Sequence, residues 1–219
     1  MTNCSSSHYN AKYFSWQSST GGEFGGWANL CIFDQYINPE FNVIDFGCGG
    51  GYLLSNIVCR GKLGIEVNTS AREHARSLGI NAVESSSEVE DKWADLIISN
   101  HALEHCPHPL LNLKELHQKL RPGGRIVFIV PCESIRFSFR SNDVNRHLYS
   151  WSPMSLGNLF TEAGFVVEEC KPFYYKWPPF YRIILRIGGQ RVFKLCCHIY
   201  GLFAGRWHQV RIVSKRKQE

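Results

Sequence analysis

The stretch Val43-Ile44-Asp45-Phe46-Gly47-Cys48-Gly49-Gly50-Gly51-Tyr52-Leu53-Leu54 decides the fold. An apolar run ends at an acid, passes through a glycine-rich turn and re-emerges as the apolar start of a helix. A first strand, tight loop and first helix of a doubly wound α/β domain have this order. Gly47, Gly49 and Gly51 carry no side chain, so backbone N–H groups should stay uncovered and a ligand can approach the main chain. The loop points at a helix N-terminus, which favours anionic or polar ligand groups. Two common nucleotide loops do not fit. The dinucleotide fingerprint needs glycine where Tyr52 stands, which disfavours a nicotinamide oxidoreductase, and no Lys-Ser/Thr pair follows to make a P-loop.

Working outward, the pattern predicts a first helix over 52–59 and a second strand over Lys62-Leu63-Gly64-Ile65-Glu66-Val67. Glu66 lies about twenty residues beyond the glycines, where a carboxylate at a strand tip can accept hydrogen bonds from both ribose hydroxyls. Ser70 with Glu73 three positions on predicts a helix start, and Gly79 its end. Ile80–Val83 reads as a third strand and Ala94–Asn100 as a fourth, apolar almost throughout as a strand buried on both faces should be. Leucines at 110, 113, 116 and 120 predict a helix from Pro107 to Leu120, broken by Arg121-Pro122-Gly123-Gly124. Arg125–Val130 is the fifth strand. Ser152-Pro153 starts a second clear helix that stops at Gly164, and Phe165–Cys170 and His208–Val213 supply two last strands. This alternation predicts an α/β sandwich around a mostly parallel seven-stranded sheet.

Asp45-Phe46-Gly47-Cys48-Gly49-Gly50-Gly51, Glu66, Asn100-His101-Ala102-Leu103-Glu104-His105 and Leu120-Arg121-Pro122-Gly123-Gly124 together resemble class I S-adenosylmethionine-dependent methyltransferases, with their Rossmann-like sandwich. The leucine-glutamate-histidine element before a leucine-rich helix is similar to the ubiquinone-type O-methyltransferases. Asn145-Arg146-His147-Leu148-Tyr149-Ser150-Trp151-Ser152-Pro153 is similar to methyltransferases associated with surface-polysaccharide synthesis. The resemblance implies S-adenosylmethionine as cofactor. It implies that Asp45 orients the methionine ammonium through water, that Gly47, Gly49 and Gly51 make room, and that Glu66 holds the ribose. It places Ser86 or its neighbours near adenine and Asn100 near the sulfonium. The implied reaction is O-methylation of a sugar or lipid-linked glycan intermediate. A quinone or other small-molecule acceptor, and a non-catalytic cofactor- or partner-binding domain of the same fold, stand as alternatives.

A hydroxyl acceptor benefits from a base, and His101, His105 and His147 are the candidates, since histidine accepts a proton near neutral pH. His101-Ala102-Leu103-Glu104-His105 also spells the H-x-x-E-H zinc-peptidase pattern. It follows a strand and is interrupted by Pro107 and Pro109, so the helix that pattern needs is not expected, and no metal site is assigned.

Composition bounds the rest. A chain of 219 residues with 44% hydrophobic and 20% charged content builds one soluble domain. The polar opening Met1–Ser7 shows no signal-peptide pattern, and nine irregularly spaced cysteines read as reduced thiols, so a cytoplasmic location is expected. Eleven of the 24 Lys/Arg but one of the 19 acids lie from Lys171 onward, giving a basic tail on an acidic core. Residues 1–39 are aromatic and glycine-rich, either packed on the methyltransferase domain at 40–219 or acting as its lid. Residues 177–207 form a basic, apolar insertion expected to be helical. It can cap the acceptor pocket, lie on an anionic membrane at the inner face, or meet nucleic acid, the last disfavoured because no binding motif accompanies it.

Overall fold

The computed structural model describes residues 8–203 and 207–218. Strands β1 (Asn42–Phe46), β2 (Gly61–Ile65), β3 (Asn81–Val83), β4 (Ala94–Asn100), β5 (Leu120–Glu133), β6 (Val166–Phe173) and β7 (Trp207–Lys215) form one sheet. Their order is β3-β2-β1-β4-β5-β7-β6. Pairing is parallel from β3 to β5, and β7 runs antiparallel between β5 and β6. Helices α1 (Ala11–Thr20), α2 (Gly22–Phe33), α3 (Tyr52–Ser55), α4 (Thr69–Ser77), α5 (Pro109–Lys119), α6 (Pro153–Glu162) and α7 (Tyr181–Phe203) pack around it. The α/β class and the mostly parallel seven-stranded sheet are as expected.

Successive strand residues point to opposite faces, and here both faces are buried. Ile44, Ile97, Ile126 and Phe128 pack with Leu113 and Leu116 of α5 and Phe160 of α6. Val43, Leu96, Ile98 and Val127 pack with Leu53, Leu54, Ala75 and Phe193 on the other side. Leu113, Leu116 and Leu120 are fully buried, each contributing about 1.5–3 kcal/mol by leaving water.

Several boundaries differ from the sequence expectation for local reasons. The first helix stops at Ser55 because the Asn56 side chain bonds the Tyr52 carbonyl at 2.8 Å and competes with the helical ladder. Asn68, not Ser70, caps α4, its side chain accepting from Ala71 N–H at 3.3 Å, so no capping box with Glu73 forms. Pro109 keeps His108 out of helical conformation, and α5 begins two residues later than expected. Leu120 already pairs with Ala94, so Arg121–Gly124 lies inside β5 beside a register shift rather than in a free turn. Ser152 caps α6 with Pro153 at its first position, as its sequence demands.

The N-terminal segment folds as the two helices α1 and α2. Gly26 of α2 abuts the Tyr52 carbonyl so closely that a β-carbon would overlap it, bringing α2 down beside the glycine loop. The insertion is helical, broken at Gly189, whose φ of 67° and ψ of −173° leave the helical region. Residues 204–206, its expected end, lie outside the described residues.

Candidate functional site

A cavity of about 290 Å³ opens at the carboxyl ends of β1, β2 and β4, where open α/β sheets bind ligands. Of the residues singled out in the sequence, Gly47, Glu66, Ser86, His101 and His105 line it. Asp45, Gly49, Gly51, Asn100 and His147 are not among its lining residues. Asn100 is held in the sheet opposite Ile129. The chain then turns through His101 at a φ of 59°, which brings that imidazole to the cavity wall.

The glycine loop works differently from the open cradle its sequence suggests. Gly47 and Cys48 N–H both donate to Ile65 O, at 2.8 and 3.2 Å, and Gly51 N–H donates to Cys48 O at 3.0 Å. Gly49 N–H donates to Glu66 Oε2 at 2.9 Å. These four donors are therefore already used, and α3 is a single turn. Gly47 and Gly51 both permit close packing: at the φ of 76° of Gly47 a β-carbon would overlap that of Ala102, and Gly51 is pressed against Ala75 and Ile80.

Glu66 follows β2 directly. Its carboxylate accepts from Gly49 and Asn68 N–H, the latter at 2.8 Å, and faces the cavity. Each oxygen keeps a further lone pair for a ligand hydroxyl. Burial pushes its pKa up, opposed by those two N–H bonds and by Arg72. Ser86 lines the cavity, but its hydroxyl donates to Glu115 Oε2 at 2.5 Å, so its side chain is already engaged. Tyr9, Tyr13 and Gln17 from the N-terminal segment also line the cavity. Tyr13 and Gln17 share a face of α1 at i,i+4 spacing, whereas Tyr9 precedes its cap Asn10, so the aromatic richness of the segment was the signal available for it. Burial pushes the Tyr13 hydroxyl up to about 12 and the Cys106 thiol likewise to about 12, so both face a ligand as neutral groups.

Asp45 is buried beneath the loop, and burial followed by the nearby Glu66 charge raises its pKa from 3.8 to about 7. In the folded chain it holds its proton more tightly than in the unfolded chain, so this group's contribution is full below its unfolded pKa. It is lost as pH rises through about 7. Asp45→Asn should therefore gain stability relative to wild type by about 2–3 kcal/mol between pH 5 and 7.5. Urea unfolding of the ligand-free proteins at both pH values checks this. A pH-independent difference would show that Asp45 is not the titrating group.

The three candidate histidines have distinct surroundings. His101 Nδ1 meets Glu104 Oε1 at 3.1 Å. Burial works against its charged form, but the Glu104 bond and charge prevail and raise its pKa. His105 Nδ1 bonds the Tyr9 hydroxyl at 2.7 Å, and burial, only partly offset by Glu104, lowers its pKa to about 4. His147 Nδ1 bonds Glu133 Oε1 at 2.7 Å. Glu104, His105 and His147 gather, with ligand-capable atoms within 4.8 Å of one another.

The fold and site define a methyltransferase architecture, and the comparisons agree. The family model described as a methyltransferase domain matches residues 24–170, well over half of the chain, and the chain belongs to that family. The ubiquinone biosynthesis O-methyltransferase of Yersinia pestis is 27% identical over 124 residues, covering 51% of this chain and 46% of that protein. The chain thus aligns with about half the length of that curated relative. A SAM-dependent methyltransferase from Archaeoglobus fulgidus superposes with a TM-score of 0.64 at 19% identity, over 93% of this chain and 99% of that one. The cyclase SpnF superposes with a TM-score of 0.62 at 17% identity, over 87% and 82%. At such identities the likeness is one of fold.

Proposed function

We propose that this chain is an S-adenosylmethionine-dependent O-methyltransferase acting on a hydroxyl of a sugar or lipid-linked glycan intermediate. The observation that carries this reading is that Glu66, His101 and Gly47 of the glycine loop line one cavity. Bound S-adenosylmethionine supplies a sulfonium-linked methyl group for in-line transfer. Glu66 would accept the ribose hydroxyl bonds, with Gly47 of the loop forming part of the same wall. Asp45, beneath that loop, orients the ammonium through water. His101, steadied by Glu104, accepts the acceptor's proton. Tyr9, Tyr13 and Gln17 make the N-terminal segment a lid that excludes water. SpnF shows that the same fold is also found in a cyclase, so turnover is the decisive measurement.

Helix α7 favours a membrane-proximal acceptor. It contains no Asp or Glu in Tyr181–Phe203 and four cations, Arg182, Arg186, Arg191 and Lys194. Its Ile183, Ile187, Leu195, Ile199 and Leu202 are exposed, while Phe193 and Cys197 face the core. Among the described residues no helix is long and apolar enough to cross a membrane. An apolar stripe flanked by cations suits the interface of an anionic bilayer. Flotation with phosphatidylglycerol vesicles should retain the protein, and Leu195→Glu/Ile199→Glu should weaken retention at least tenfold. Equal recovery with neutral vesicles, or no loss in the variant, would remove the membrane reading. Mass spectrometry of products from nucleotide sugars, lipid-linked glycans and polyprenyl phenols tests the acceptor. Methylation of the phenols alone would transfer the assignment to the quinone-type reading that the Yersinia relative supports.

A further inference from the structure

Glu104 is fully buried, and its Oε2 has no hydrogen-bond partner among the described residues. A buried carboxylate oxygen left without a donor is costly, and a cation is one of the few groups that can satisfy it. One ligand-capable atom each from Glu104, His105 and His147 lies within 4.8 Å of the other two. We propose that these three side chains hold a divalent transition-metal ion.

The surroundings are organised for this. Glu104 and His105 sit on the single turn Leu103–His105 that follows β4, whereas His147 comes from the loop between β5 and α6. Leu148 and Tyr149 N–H both donate to the Glu104 carbonyl, at 2.9 and 3.3 Å, and clamp that loop to the turn. His147 Nδ1 is bonded to Glu133 at 2.7 Å, and its Nε2 lies 3.9 Å from Glu104 Oε1. A carboxylate behind a ligating imidazole fixes its tautomer and ring orientation. The Tyr9 hydroxyl does the same service for His105 at 2.7 Å. Glu104 Oε1 is engaged by His101, so Oε2 is the oxygen available to the ion.

Two imidazoles and one carboxylate are a mixed set that prefers zinc-like ions to magnesium. Ligand atoms of a tetrahedral zinc site stand about 3.4 Å apart, given bonds of about 2.1 Å, so binding draws the three inward by side-chain rotation. Three protein ligands leave one position open, as in catalytic zinc sites. His105 and Tyr9 also line the cavity, so the open position suits an acceptor oxygen. That use rests on the methyl-transfer reading, whereas ion binding does not.

Chelator-treated protein titrated calorimetrically with zinc chloride should take up one ion per chain on this site, and with magnesium chloride none in the same range. Cobalt(II) should give visible d–d bands that zinc displaces. His147→Ala and His147→Gln should each weaken zinc binding at least tenfold and lose the bands, with S-adenosylhomocysteine binding retained as evidence of the fold. No stoichiometric zinc in wild type, no cobalt bands, or zinc binding unchanged in both variants would overturn the proposal. Zinc bound without any methyl transfer would leave the site standing and sink the methyltransferase reading alone.

Discussion

His101→Ala is expected to lower kcat by about 10²–10⁴-fold, the usual contribution of a positioned acid–base group, while cofactor affinity changes by no more than about threefold. The expectation rests on where the backbone puts this residue. β4 delivers the chain to the cavity, the left-handed conformation at His101 turns the ring to its wall, and His101 N–H remains bonded to Ile129 O at 2.9 Å. The Nδ1 contact with the buried Glu104 fixes the ring and stabilises the imidazolium formed when the acceptor loses its proton. His105 is a weaker candidate, since burial lowers its pKa to about 4 and Tyr9 occupies Nδ1. Single-turnover rates with calorimetric binding of S-adenosylhomocysteine separate chemistry from binding. A His101→Ala rate near wild type would place the base elsewhere or make it dispensable.

Glu66→Ala should weaken S-adenosylhomocysteine binding by on the order of 100-fold. Two hydrogen bonds from ribose hydroxyls to a carboxylate contribute about 1.5–3 kcal/mol each at most, and a net loss near 3 kcal/mol corresponds to that factor. The variant also strips the acceptor from Gly49 and Asn68 N–H, so the loop loses part of its support. Glu66→Gln removes less, because its carbonyl oxygen still accepts from one backbone N–H and one hydroxyl while its NH2 meets the other backbone donor. It should bind about tenfold more weakly than wild type, with thermal stability between those of wild type and Glu66→Ala. Unchanged affinity in both variants would mean that the carboxylate serves the loop and not a ligand.

Both expectations draw on residues visible in the sequence, yet their status differs. Glu66 was legible because a strand tip, a glycine loop and an acid at fixed spacing are local features, and short segments set them. The same holds for Ser152-Pro153 opening α6 and for the alternation of strands with leucine-rich helices. Helix ends were less legible, because Asn56 and Asn68 act through single side-chain hydrogen bonds that compete with periodicity.

The sequence by itself determined the α/β class, the placement of the glycine loop and the identity of the acid beside it. These follow from hydrophobic period, glycine conformational freedom and spacing, all carried by neighbours along the chain. Only the tertiary structure decided what the site contains. Tyr9 reaches His105 across 96 residues, and His147 reaches the Glu104 turn from a loop beyond β5. Folding of the sheet and the loop's clamp to Glu104 make those meetings possible, and no local periodicity encodes them. The tertiary structure likewise turned the loop's N–H groups inward onto Ile65 and Glu66, because buried backbone donors find acceptors within the fold before any ligand arrives.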